Sequence, residues 1–164
     1  MSLPVDLTKR LSARPKPTRD GKHSVITFAD RPSIEDWLRL HSESFLGGRA
    51  PWPETRFRRE LLDRLWFSPE HMWWAISNDG DRPIGTITLE VDGDAGQIHW
   101  LMVDPAARRS GVASALLQAL ENAAWDAGVR QLSAETLSTW APAVAFYRRH
   151  GYQAPPIADR AKSR

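Results

Sequence analysis

Apolar positions change period several times along the chain, and each change marks an element. Ser24 to Ala29 predicts a short first strand. After Ser33, a residue suited to capping, Ile34, Trp37, Leu38, His41 and Phe45 recur on one face, which predicts a helix to about Phe45. The glycines and prolines between Gly47 and Pro53 make a loop. Phe57, Leu61, Leu62, Leu65 and Trp66 then predict a second helix over about 54–67, with arginines on its other side. Strands are expected over 71–77, 84–91 and 97–103. The middle one alternates Ile87, Leu89 and Val91 with Thr86, Thr88 and Glu90. Ala113, Leu116, Leu117, Leu120, Ala124 and Ala127 predict a long helix that Gly128 ends. A strand over 130–137 and a helix from about Pro142 to His150 follow. This order predicts an α/β (mixed α+β) fold, a mixed sheet with helices on both faces.

Composition narrows the picture. The 164 residues suit one domain with a core of its own. Residues 1–22 carry three lysines, three arginines and three prolines with little apolar pattern. They read as a flexible basic tail, which leaves 23–164 as the single domain. The absence of cysteine excludes disulfides and thiol catalysis and suits a reducing, cytoplasmic setting. No apolar run is long enough to span a membrane, and no apolar signal core stands at the N-terminus. A formal charge of +2 with scattered arginines argues against a nucleic-acid partner. No metal-ligand set is read from the sequence.

The chemistry concentrates after the strand that ends Leu101, Met102, Val103. There Arg108, Arg109, Ser110, Gly111, Val112, Ala113 and Ser114 lead into the long helix. Small residues at a helix start leave backbone N–H groups open to an anion, and the helix dipole favours one. The turn reads as a pyrophosphate cradle.

The run from Arg108 to Ala113 fits the [RQ]-x-x-G-x-[GA] signature, and Ala143, Phe146, Tyr147, Gly151 and Tyr152 match a second motif. With the strand before and the helix after, residues 23–154 resemble the GNAT superfamily of N-acetyltransferases. The resemblance implies a GNAT fold whose fourth and fifth strands, here 97–103 and 130–137, splay apart. It further implies acetyl-CoA as cosubstrate, its pantetheine arm on the main chain of Leu101–Val103 and its phosphates on residues 108–114. Acetyl would pass directly to a primary amine of a small molecule or peptide in a ternary complex. Tyr147 is similar to the family's general-acid tyrosine. His99 and Glu135 both resemble groups that relatives use as base, and the choice between them is open. Trp140 stands where relatives have an asparagine on the pantetheine. It is expected to stack on the coenzyme or to wall the acceptor cleft. Acceptor contacts are expected from Arg49, Trp52, Arg56, Trp73 and Trp74, with core packing as the alternative for the tryptophans.

Relatives end with two further strands, and this chain has few residues after Gly151. An open sheet edge, a partner copy in a homodimer, or the N-terminal tail would each answer that shortage. A non-catalytic domain that senses CoA thioesters is the alternative to an enzyme.

Overall fold

In a computed structural model, which describes residues 2–16 and 23–155, one six-stranded sheet carries helices on both faces. The strands are β1 (Pro4–Arg10), β2 (Ser24–Thr27), β3 (Met72–Ile76), β4 (Pro83–Asp92), β5 (Ala95–Val103) and β6 (Gln131–Leu137). Their order in the sheet is β1-β6-β5-β4-β3-β2. Every neighbouring pair is antiparallel except β5 and β6. Helices α1 (Ile34–Phe45) and α2 (Glu54–Phe57) pack with one core, on one face. Helices α3 (Val112–Asp126) and α4 (Ala141–Arg149) pack with the core on the other.

The predicted elements lie where the periodicity places them, with two corrections. The second helix is short. After Phe57 it widens into one π turn, Arg58–Leu62, and stops. Leu65 is therefore fully exposed and only Trp66 of that pair returns to the protein.

The larger correction concerns the expected tail. Residues Pro4–Arg10 form a strand that pairs with β6 along its whole length, from Pro4 opposite Leu137 to Arg10 opposite Gln131. Leu7 and Leu11 are buried in the α3/α4-side core. Alternation explains it: Val5, Leu7 and Leu11 share one face of an extended chain, and burying them offsets the entropy of ordering the segment. Of the three answers to the expected shortage of strands, the described residues show the N-terminal segment beside β6. Gln153 adds a single bridge on the outer edge, its N–H and C=O exchanging bonds with Thr8 at 2.8 and 2.7 Å. Residues 17–22 of the expected tail lie outside the described residues.

β5 and β6 run parallel only from Ala95 opposite Gln131 to Ile98 opposite Ala134. Beyond that point the two strands share no ladder, although β5 runs on to Val103 and β6 to Leu137. The β6-facing edge of residues 99–103 is thus left without a strand partner. β1 pairs with β6 on its far side along the whole length of β6.

Candidate active site

The gap between β5 and β6 leads to the turn that opens α3. Asp104 follows β5; its carboxylate accepts the Ala106 N–H at 3.0 Å and holds Arg82 at 2.9 Å. A short 3₁₀ turn, Pro105–Ala107, carries the chain over the end of the sheet. Arg109 and Gly111 both take left-handed backbone angles, φ 64° and 84°. Glycine suits such a position, whereas Arg109 adopts it against the Cβ clash. Gly111 is the N-cap of α3 and makes no side-chain capping bond, so the first amides of the helix meet no capping oxygen. Close packing holds the turn. A Cβ on Gly85 of β4 would lie 2.9 Å from Val112 Cγ1 and 3.0 Å from Leu116 Cδ1.

The remaining side chains of the turn are arranged around it. Arg108 Nε donates to the Val103 carbonyl at 3.4 Å, and the Ser110 hydroxyl to the Ala107 carbonyl at 2.5 Å. Ser114 Oγ lies 3.1 Å from His150 Nε2, which ties the start of α3 to the end of α4. His23, which the sequence does not single out, reaches the Ser110 carbonyl with Nε2 at 2.6 Å.

A β-bulge in β5 shapes the other end of the gap. Thr86 pairs with Met102 and Thr88 with His99, so two steps on β4 meet three on β5. Trp100 takes φ 53°, unusual for so large a residue. The extra residue breaks the alternation, and the rings of His99 and Trp100 both reach the α1/α2-side cluster. His99 stacks on Trp66 at 4.9 Å between centroids. Trp100 meets Trp37, His41, Phe45 and Trp52 at 5.3–6.0 Å.

The two candidate bases come together. Ile98 and Ala134 are partners and face the α3/α4 core, so His99 and Glu135, one step on, project from the opposite face. His99 Nε2 lies 3.7 Å from Glu90 Oε2. Burial lowers the His99 pKa, the charges of Glu90 and Glu135 partly oppose that shift, and Arg64 adds to it. Glu135 is exposed and stands opposite Asp6 of β1.

Tyr147 lies in the α3/α4-side core, and burial pushes its phenol above the ordinary value. Trp140 is the N-cap of α4, and its ring stacks on Phe45 at 5.4 Å and 21°. Phe45 ends α1 and touches Trp100 on β5, while Trp140 follows β6. The stack therefore bridges the two strands across the gap.

The expected acceptor residues divide. Trp52 packs at 4.1 Å from His41, and the Arg56 guanidinium lies 4.1 Å over its ring. Arg49 caps its own loop through the Leu46 carbonyl and lines a groove along the outer side of α1, with Glu35, Arg39 and Glu54. Trp73 and Trp74 are a correction. They point to opposite faces of β3, a strand covered on both sides, and both are buried in the cores. Trp74 Nε1 donates to the Arg31 carbonyl at 2.8 Å, which satisfies it there. Alternation was visible in the sequence; the cover on both faces was not. Among the described residues no cluster of histidine and carboxylate side chains could hold a metal ion. No described helix is long and apolar enough to cross a membrane.

Comparison with known proteins gives a consistent result. The sequence model of the Acetyltransferase (GNAT) family matches residues 34–152. Over 124 residues the chain is 32% identical to a mycothiol acetyltransferase of Clavibacter sepedonicus, covering 73% of this chain and 39% of that protein. It is also 32% identical over 94 residues to the uncharacterized N-acetyltransferase YjcF of Bacillus subtilis, 57% of this chain and 63% of that one. Among solved structures, a GCN5-related N-acetyltransferase from Sphaerobacter thermophilus superposes with a TM-score of 0.74 at 24% identity, over 93% of this chain and 48% of that chain. The ribosomal-protein-S18-alanine N-acetyltransferase of Escherichia coli gives 0.63 at 19% identity, over 82% and 79%. These structural likenesses concern the fold. The chain spans well under half of the mycothiol enzyme it matches.

Proposed function

Because the chain belongs to the acetyltransferase (GNAT) family, we propose that it moves an acetyl group from acetyl-CoA to a primary amine by direct attack in a ternary complex. The observation that carries this reading is the parting of β5 and β6 after Ile98 and Ala134, with the uncapped start of α3 at its end. The residues fit the coenzyme. Amides of Gly111, Val112, Ala113 and Ser114, with Arg108 and Arg109, would hold its phosphates. The unpartnered main-chain edge of Leu101, Met102 and Val103 would take the pantetheine amides and supply an N–H to the thioester carbonyl. When bound, the coenzyme supplies an activated acyl group.

The chain's own groups do the proton work. His99 is the proton acceptor in this reading. Its lowered pKa keeps the imidazole neutral at pH 7, ready to take a proton from the incoming ammonium directly or through water. Glu90 and Glu135 steady the imidazolium that forms. Tyr147 keeps its proton across the physiological range because its phenol is buried, and gives it to the departing thiolate. Phe45, Trp52, Trp100 and Trp140 wall the acceptor side of the gap.

The test is thiol release from acetyl-CoA against panels of small amines and peptides. Turnover with at least one acceptor, with kcat/KM falling on the acid side and that limb lost in His99→Ala, is the expected result. Binding of the coenzyme without turnover on any amine would overturn the reading in favour of a thioester sensor. Loss of the acid limb in Glu135→Gln, with His99→Ala retaining it, would move the base to Glu135.

A further inference from the structure

A buried ionic network outside the gap joins the first strand of the chain to Tyr147. Glu121 of α3 is 5% exposed, in a core of leucine, alanine and tyrosine. A carboxylate in such a place needs a counter-charge and hydrogen bonds. Lys9 of β1 supplies the charge, its Nζ donating to Oε2 at 2.9 Å and Oε1 at 3.1 Å. The Tyr152 hydroxyl donates to Oε1 at 3.2 Å. Lys9 also lies 5.6 Å from the Tyr152 ring centroid.

Tyr152 is bound to Tyr147 twice. Its N–H donates to the Tyr147 carbonyl at 3.0 Å, and the two rings meet edge to face at 5.3 Å. The turn between them is held against β1, since Gly151, at φ 90°, leaves the room that Lys9 occupies. A Cβ there would stand 3.4 Å from Lys9 Cε. The bonds between Thr8 and Gln153 close the same turn from the other side. Every link in this series is a direct contact.

We propose that Lys9 is a positioning residue for Tyr147, fixing the place of its hydroxyl through Glu121 and Tyr152. The role rests on the proposed function of Tyr147 as proton donor. Without the lysine, Glu121 is a buried charge with one phenolic partner. It is relieved by taking up a proton or by drawing in water, and either change frees Tyr152 from its present angle. The Tyr147 ring packed against it then shifts.

The chain has just two tyrosines, so ring-¹³C-tyrosine labelling of the full chain gives two signals. In Tyr152→Phe, one signal remains and identifies Tyr147. Expected in Lys9→Met are a displaced Tyr147 signal and a kcat lower by about tenfold, the size of a sub-ångström misplacement, with KM for acetyl-CoA held within about twofold. Lys9→Arg restores both signal and kcat, because the charge returns. Tyr152→Phe keeps the ring and loses the bond to Glu121, and lowers kcat as Lys9→Met does. Should Lys9→Met fail to fold, Tyr152→Phe carries the kinetic comparison alone. An unmoved Tyr147 signal in Lys9→Met, or a fall in melting temperature with wild-type kcat, overturns the role of Lys9. A wild-type chain that acetylates no amine overturns the transfer reading itself, and this role with it.

Discussion

Burial sets the protonation of Tyr147, and a left-handed backbone angle favours glycine at position 111. A phenol buried in the α3/α4-side core keeps its proton where an exposed thiol or imidazole would share it. Tyr147→Phe is expected to lower kcat by about 10- to 100-fold with coenzyme affinity kept, as removal of one proton donor does. Single-turnover kinetics with a good acceptor reads this directly. Gly111 holds φ 84° where α3 begins. Gly111→Ala is expected to destabilise the fold by about 1–2 kcal/mol through the left-handed Cβ clash. If the proposed coenzyme site is right, steady-state kinetics of Gly111→Ala is also expected to show a KM for acetyl-CoA raised more than kcat is lowered. The role given to Tyr147 rests on resemblance, whereas the helix start at Gly111 was legible in the sequence, because a glycine in a small-residue turn carries its meaning locally. Trp100 was not. It lies in a nearly unbroken apolar run from Ile98 to Val103, where no alternation exists for a bulge to interrupt. Only the register against β4 reveals that it shares a face with His99.

At the scale of elements, β4 and α3 pack closely at Gly85. Gly85→Ala is expected to push the start of α3 off the sheet and to destabilise by about 1–3 kcal/mol, the usual penalty of overpacking. Val112 and Leu116 would have to yield. Urea denaturation measures the loss. Helix α1 carries a second, pH-dependent term. Burial and the nearby charge of Arg56 lower the His41 pKa to about 4, and burial also lowers those of His99 and His150. Between pH 6.5 and about 4 the unfolded chain takes a proton at this position that the folded chain refuses. Stability is thus full above the unfolded value and falls as the pH drops through that window. His41→Phe, which keeps a ring against Trp37 and Trp52, is expected to flatten part of the slope in denaturation curves at pH 7 and pH 5. The α1 periodicity showed His41 on the buried face. That its Nδ1 makes no hydrogen bond there was beyond reach, since partners depend on tertiary packing.

For the molecule as a whole, the decisive feature is that β1 completes the sheet. Leu7 is fully buried. Leu7→Ala is therefore expected to destabilise by about 2–5 kcal/mol, as a core truncation does. A residue in a loose arm would change stability by no more than about 0.5 kcal/mol. The two outcomes are far enough apart for one thermal melt to separate them. The alternation of Val5, Leu7 and Leu11 was present in the sequence, but lysine and arginine between them gave the segment the composition of a tail. Lys9 sits on the inward face, where a hydrophobic residue would have completed the pattern. Its charge makes sense only with Glu121, which lies 112 residues away along the chain. The helices and central strands, by contrast, declare themselves through neighbours a few positions apart.

Of the six strands of this sheet, β1 is made first and is among the last able to find its place. Leu7 must wait for Ala134, and Pro4 for Leu137, so β1 leaves the ribosome unpaired. Closing so long a loop is entropically slow. A bulky fusion just before Pro4 would burden the step that sets β1 against β6.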